Sequence, residues 1–315
     1  MSTTIKKIKP IIIGYGAQAK SWAKNLKDSG IAPTIALRRQ SNNCFVAENE
    51  GFKVISLDKI QDQKFNSIIL LTPDNTHSQI LRTISPAIQK NTRVIYAHGY
   101  STIQHNLPQA YPKVGHLLLA PKAIANEVRD RYLNNHKIPA AYSLEYSLFP
   151  KEDKDYLIQL SRMLGFTAGP YECSFKEETF SDLFSEQSIL CSILPYLMKE
   201  SFDRLIKTGI SDEIAYLECC FEVKLIADTL IAKGPKKFFE LISPNALIGG
   251  EKARQKLISN QFKDSLDDLL NDIISMKFFD EIEKTDFNKL KKETVEFWSN
   301  SKFNNTFEKM RPQLQ

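Results

Sequence analysis

Cysteine is scarce and badly placed for a structural role. Cys44, Cys173, Cys191, Cys219 and Cys220 make an odd five in 315 residues, and two of them are adjacent. No C-x-x-C pair offers a metal knuckle and no even set offers a disulfide framework, which points to a reducing, cytoplasmic compartment. Long apolar runs are missing too; none approaches the roughly 20 residues that cross a bilayer. The opening MSTTIKKIKP carries charge but no apolar stretch, so neither a secretory signal nor a membrane partner is expected. Charge of one sign never gathers. The net +5 is spread along the chain, and without a basic stripe no nucleic-acid partner is expected. There is also no tract rich in proline, glycine or serine, no internal repeat and no low-complexity segment. Two domains joined without a long linker follow from that and from the length.

What is present is ordinary globular composition, 42% hydrophobic and 25% charged. The first half alternates between strand-like and helix-like segments. KPIIIGYG is a β-branched run ending in glycine, and AQAKSWAKNLKDSG has helical periodicity with a glycine stop. APTIALR, NSIILLTPD and TRVIYAHGY read as further strands, and NNCFVAENEG as a short helix. That alternation predicts a parallel sheet with crossover helices. From about residue 175 strand-like runs stop and helical patterns take over. We place a boundary there, with residues 1–174 as a nucleotide-binding domain and 175–315 as an all-helical domain.

The segment IIIGYGAQA sets Gly14-x-Gly16-x-x-Ala19 after a strand and before a helix. In that context it is a dinucleotide fingerprint: the glycines permit a tight turn and close approach of a pyrophosphate to the helix N-terminus. Candidate cofactor contacts are Gly14, Tyr15, Gly16, Ala17 and Gln18, with Pro73 and Asp74 at the end of a later strand. An NAD site wants an acid about 20 residues on, at the ribose 2′-hydroxyl. The second strand instead ends in ALRRQS. Arg38, Arg39 and Ser41 suit a 2′-phosphate, so NADP(H) is the expected cofactor.

Two carboxylate pairs stand in apolar helical surroundings: Asp182 with Glu186, and Glu218 with Glu222. Like charges one turn apart repel by about a few tenths of a kcal/mol, and burying them unpaired costs roughly several more. On a 100° wheel Glu218 and Glu222 lie about 40° apart, opposite Lys224 and Asp228, which suit a solvent face. The row through Asp182 and Glu186 runs on into Ile189 and Ile193. Both pairs are therefore expected to face inward. With no His or Cys ligand among them, the donors are all oxygen, which suits Mg²⁺ or Mn²⁺ better than zinc. Helix-borne carboxylates at this spacing suit a two-metal site.

At this point the chain resembles the ketol-acid reductoisomerases, in their short class I form. GYGAQAKSWAKNLKDSG is similar to the family's G-Y-G-S-Q-G-x-A-x-A-x-N-L-x-D-S-G. YAHGY is similar to F-A-H-G-F, and APKAIANEVRDRY to A-P-K-G-P-G-H-x-V-R-x-x-Y. FKEETFSDLFSEQSILC is close to F-K-E-E-T-E-T-D-L-F-G-E-Q-x-V-L-C, and AYLECCFEVKLIADTL to A-Y-F-E-x-x-H-E-x-K-L-I-x-D-L. The resemblance implies a Rossmann-type α/β domain followed by an all-α, knotted domain. It implies NADPH and two Mg²⁺ ions, held by Asp182, Glu186, Glu218 and Glu222. The second pair would come from a partner subunit, which implies a homodimer with shared sites. The implied reaction is an alkyl migration in a 2-hydroxy-2-acetyl acid followed by hydride reduction. His98, Lys122 and Glu222 are the implied catalytic residues, and Ser243 the implied contact to the substrate carboxylate. His77, His105, His116 and His136 read as structural.

The departures from the family pattern cluster around the pocket. Ala123, Ile124, Ala125 and Asn126 replace Gly-Pro-Gly-His, and the added side chains predict a narrowed or reshaped cavity. Asn43, Ser192-Ile193, Phe221 and Asn245-Ala246-Leu247 depart as well. Three readings stay open: a reductoisomerase of acetolactate-type substrates, a divergent NADPH-dependent reductase of another 2-oxo acid or imine, and a non-catalytic NADP-binding dimer.

Overall fold

A computed structural model describes residues 8–314. The N-terminal stretch read as lacking a secretory signal lies, up to residue 7, outside the described residues. The chain divides into two compact units, one ending at Ser181 and one beginning at Asp182.

The first unit is built on eight strands: β1 (Pro10–Ile13), β2 (Thr34–Leu37), β3 (Lys53–Ser56), β4 (Ser67–Leu70), β5 (Arg93–Tyr96), β6 (Gly115–Pro121), β7 (Pro139–Tyr146) and β8 (Ala168–Glu172). They lie in the order β3-β2-β1-β4-β5-β6-β7-β8. The first six pair in parallel, the doubly wound order of dinucleotide-binding domains. The last two reverse: β7 runs antiparallel to β6, and β8 follows β7 in parallel. The helices are α1 (Ala17–Asp28), α2 (Asn43–Asn49), α3 (His77–Ile84), α4 (Tyr100–Gln104), α5 (Leu107–Ala110), α6 (Ala125–Leu133) and α7 (Pro150–Leu164).

The period-2 rule explains why the strands read as continuous apolar runs. Alternate residues point to opposite faces, and here both faces are covered. Ile12, Ile35, Ile69, Ile95 and Leu117 join one core with Trp22, Leu26 and Leu160 of the helices on that side. Ile11, Ile13, Ile68, Leu70 and Val94 join the other, with Leu81 and Ile84 of α3. The first crossover ends as its glycine predicts. Gly30 sits at φ +84°, and Ile31 N–H donates to Leu26 O at 2.8 Å, which satisfies a carbonyl at the end of α1.

Helix α8 (Phe175–Ser185) begins the helical part of the chain. Beyond it come α9 (Ile193–Lys207), α10 (Asp212–Tyr216), α11 (Glu222–Leu241), α12 (Pro244–Leu257), α13 (Asn260–Ile274), α14 (Lys277–Lys284), α15 (Phe287–Ser299) and α16 (Lys302–Leu314). The second unit is helical throughout its described residues, as the pattern after residue 175 predicts. Its small core gathers Phe202, Ala215, Tyr216 and Met310, with Phe303 edge-on to Phe202. Two π-helical turns interrupt its helices, at Glu186–Leu190 and Leu217–Phe221.

Candidate active site

The dinucleotide fingerprint folds as its spacing predicts. Gly14 has φ +104°, and a Cβ there would come within 2.5 Å of Leu71 O at the end of β4. A side chain is thus excluded both by backbone conformation and by space. A Cβ built at Gly16 would meet no atom within 4 Å, so the space beside the N-terminus of α1 is open. Ala19 is fully buried, the small third residue that lets α1 seat on the sheet. Between the ends of β1, β2 and β4 lies a cleft of about 470 Å³, walled by Gly14, Tyr15, Gly16, Arg38, Ser41, Asn43, Thr72 and Pro73 among others. The switch of strand order between β1 and β4 creates it.

The candidate cofactor residues do not all line that cleft. Ala17 faces a neighbouring groove with Lys20 and Arg129. Asp74 lies 3.8 Å from His77 Nδ1. The Tyr15 hydroxyl donates to Glu50 Oε2 at 2.5 Å, and Lys24 binds the other oxygen at 3.1 Å. Burial pushes the Glu50 carboxyl up, but Tyr15 and Lys24 outweigh it and hold it below its ordinary value. Arg39 is turned to Asp58, with Nη2 and Oδ2 2.6 Å apart. The Arg39 guanidinium and the Ser56 hydroxyl hold Asp58 well below the usual carboxylate range.

At the ends of β5 and β6 stand His98 and Lys122, joined by a residue that the sequence reading did not single out. Glu178 of α8 has its carboxylate buried, 2.7 Å from Lys122 Nζ and 3.2 Å from His98 Nδ1, and it accepts from Gly99 N–H at 3.0 Å. Burial drives its pKa up; His98 and Lys122 more than offset that, so the carboxyl is held below its ordinary value. The contact to Glu178 is made through His98 Nδ1.

The local sequence explains why Glu178 faces in. Ser174 and Glu177 form a capping box, with Ser174 N–H to Glu177 Oε2 at 2.7 Å and Glu177 N–H to Ser174 Oγ at 3.0 Å. The box fixes the start of α8, and Phe175 and Thr179 are fully buried. Gly99 allows α8 this close, since a Cβ there would collide with Thr179 Oγ1 and meet Phe175 O at 3.0 Å. The row Phe175, Glu178, Thr179, Asp182 was the available signal. It extends the carboxylate row back by one turn.

The inward orientation expected of both carboxylate pairs is corrected by the structure. Within one chain Glu186, Glu218 and Glu222 are exposed and Asp182 is half-buried. Ile189, in the row that was expected to turn inward, is half exposed. A wheel identifies an apolar face but not what covers it. Lys224 and Asp228 do lie at the surface, paired at 2.5 Å. Among the described residues, Glu218 and Glu222 join no cluster of metal-ligating side chains.

Both pairs adjoin a π-turn. Cys191 N–H reaches back five residues to Glu186 O, and Glu222 N–H likewise to Leu217 O. Such turns recur at functional sites, and each shifts the following residues off a 3.6-residue wheel. Ser243 caps α12, accepting from Ala246 N–H at 3.2 Å. Ile124, expected to narrow the cavity, is 75% exposed, because it precedes α6 as its N-cap and only Ala123 packs on the core.

Two family profiles match the chain. One, described as the acetohydroxy acid isomeroreductase NADPH-binding domain, covers residues 4–166; the other, the ketol-acid reductoisomerase C-terminal domain, covers residues 175–315. The ketol-acid reductoisomerase (NADP(+)) of Helicobacter pylori is 35% identical over 273 residues, 85% of this chain and 82% of the relative. The chain belongs to the ketol-acid reductoisomerase family.

Among solved reductoisomerases, an NADH-preferring one from an uncultured archean superposes with a TM-score of 0.86 at 27% identity, over 97% of this chain and 94% of the other. A pyrroline-5-carboxylate reductase from Coxiella burnetii, at 15% identity and a TM-score of 0.62 over 84% of this chain and 95% of the other, shares the fold alone. Among the described residues, no helix is long and apolar enough to cross a membrane.

Proposed function

We propose that this reductoisomerase converts a 2-hydroxy-2-acetyl acid of the acetolactate type to a 2,3-dihydroxy acid, using NADPH and two Mg²⁺ ions. The observation that carries the reading is the buried Glu178, which gathers His98 and Lys122 at the ends of β5 and β6, one turn before Asp182. Asp182 and Glu186 would hold the metal from one chain, and Glu218 and Glu222 from the other chain of a homodimer. The exposure of the second pair supports that division. The donor set fits a hard cation. All four groups offer oxygen, which suits a hard divalent cation. When bound, the metal supplies Lewis acidity toward the substrate's keto and hydroxyl oxygens, and NADPH supplies the hydride.

The chain's own residues do the rest. Gly14 and Gly16 admit the pyrophosphate, and Arg38, Ser41 and Asn43 line the cleft where the 2′-phosphate would sit. Lys122 Nζ, fixed by Glu178, gives a proton to the new hydroxyl. His98, with Nδ1 committed to Glu178, takes and returns protons at Nε2. Glu222 serves as ligand and as proton carrier, and Ser243 meets the substrate carboxylate. Residues 1–174 form the cofactor domain, and 175–315 the metal, substrate and dimerisation domain. The free thiols suit a cytoplasmic enzyme.

The test is NADPH oxidation by the purified protein with 2-acetolactate. Oxidation should require Mg²⁺, stop with EDTA and be lost in Asp182→Asn. A protein that binds NADPH and Mg²⁺ but leaves acetolactate untouched would overturn the substrate assignment.

A further inference from the structure

The cofactor loop carries two arginines, and the structure gives them different tasks. Arg38 lines the cleft beside Ser41 and Asn43. Among the described residues, no hydrogen bond or ion pair holds its guanidinium. Arg39 is not part of that wall. Its Nη2 donates to Asp58 Oδ2 at 2.6 Å and its Nε to Oδ1 at 3.4 Å, a two-point grip. Asp58 directly follows Leu57, which is itself a wall of the cleft. A bare carboxylate there would repel a 2′-phosphate, and Arg39 neutralises it.

We propose that Asp58 is a specificity-determining residue: it takes Arg39 as its counter-ion, so the 2′-phosphate is read by Arg38 with Ser41 and Asn43, not by both arginines. This rests on the NADPH reading given above. The pair is exposed, so its consequence lies in cofactor discrimination and not in folding. The family likeness to an NADH-preferring enzyme makes the division of labour worth measuring, because a chain with one free arginine needs fewer changes to lose its preference.

The experiment is a set of NADPH and NADH dissociation constants, by fluorescence titration of the full-length protein, for the native chain and four variants. Arg38→Gln should weaken NADPH about tenfold or more and leave NADH unchanged. Arg39→Gln uncovers Asp58 and should weaken NADPH about threefold; adding Asp58→Asn to it should restore native affinity. Asp58→Asn alone frees Arg39 and should tighten NADPH about threefold. If the Arg39→Gln/Asp58→Asn double variant stays as weak as Arg39→Gln, Arg39 is itself a phosphate ligand and the proposal fails while NADPH binding stands. A native chain that prefers NADH would overturn the cofactor reading, and the proposal with it.

Discussion

The two units treat apolar surface in opposite ways. Up to Ser181, forty apolar side chains are buried among the described residues, packed on both faces of one sheet. From Asp182 on, only Leu183, Phe202, Ala215, Tyr216, Ile273, Phe279 and Met310 are. Helices α11, α12 and α15 of that unit bury no side chain fully and leave Ile231 83%, Ile248 69% and Phe287 67% exposed. A unit that exposes this much apolar surface expects another surface to cover it. The first unit holds its chemistry on a finished core. The second carries carboxylates on helices whose apolar faces are unfinished within one chain.

Ile231→Asp on α11 should have the largest effect. If a second copy covers that face, activity should fall by about a thousandfold, because half of each metal site departs with the partner. NADPH binding by the first unit should survive, and light scattering should show monomers. If the face is free surface, neither quantity will move.

Trp22→Ala tests the other side. Trp22 is fully buried against Phe166, ring centroids 5.3 Å apart, and its loss should cost about 3–5 kcal/mol in a urea titration. The chain has two tryptophans, Trp22 in the first unit and Trp298 in the second. Trp22→Ala removes the first unit's reporter, so its unfolding is followed by circular dichroism; Trp298→Phe, with Trp22 kept, gives a background whose fluorescence reports the first unit alone.

Acid should act next, and on the first unit. Burial pushes His116 down to about 4 from an ordinary 6.5, and burial likewise lowers His77. Below pH 6.5 the unfolded chain binds these protons and the folded chain does not. Their stabilisation is complete above pH 6.5 and is lost as the pH falls toward 4, about 3 kcal/mol for His116. The Trp22 transition should move to lower urea between pH 7 and pH 5; an unchanged midpoint would refute the assignment.

Gly99→Ala should cost about 1–3 kcal/mol and lower kcat, because α8 must shift and carry Glu178 with it. A variant with native kcat would show that α8 has slack. At the small end, Lys224→Ala removes an exposed i, i+4 pair and should change the urea midpoint by no more than about 0.5 kcal/mol.

Much of the first unit was legible in the chain. Strict alternation and a glycine-rich turn before a helix leave few topologies, and the sheet's first six strands follow them. The reversed β7 and β8 were not legible, since strand direction at a sheet edge depends on the connection and not on the run itself. The roles of Arg38 and Arg39 could not be separated either, because both fit a phosphate by type and only Asp58, brought in from beyond β3, divides them. Glu178 was half visible. Its place in the Phe175–Thr179–Asp182 row and the capping box before it were readable signals, whereas its partners come from strands far away in sequence.

By itself the sequence determined the alternation of strand and helix in the first part of the chain, the helical pattern after it, the dinucleotide fingerprint and the family resemblance. These are local properties of residue type and spacing, and local sterics and hydrogen bonding suffice to impose them. Tertiary structure alone decided which groups meet. It joined Glu178 to Lys122 across 56 residues and Arg39 to Asp58 across 19. It also showed that the second carboxylate pair is not buried by its own chain. The physical reason is that burial and ion pairing are set by whatever surface arrives from elsewhere, and a helical wheel carries no information about that surface.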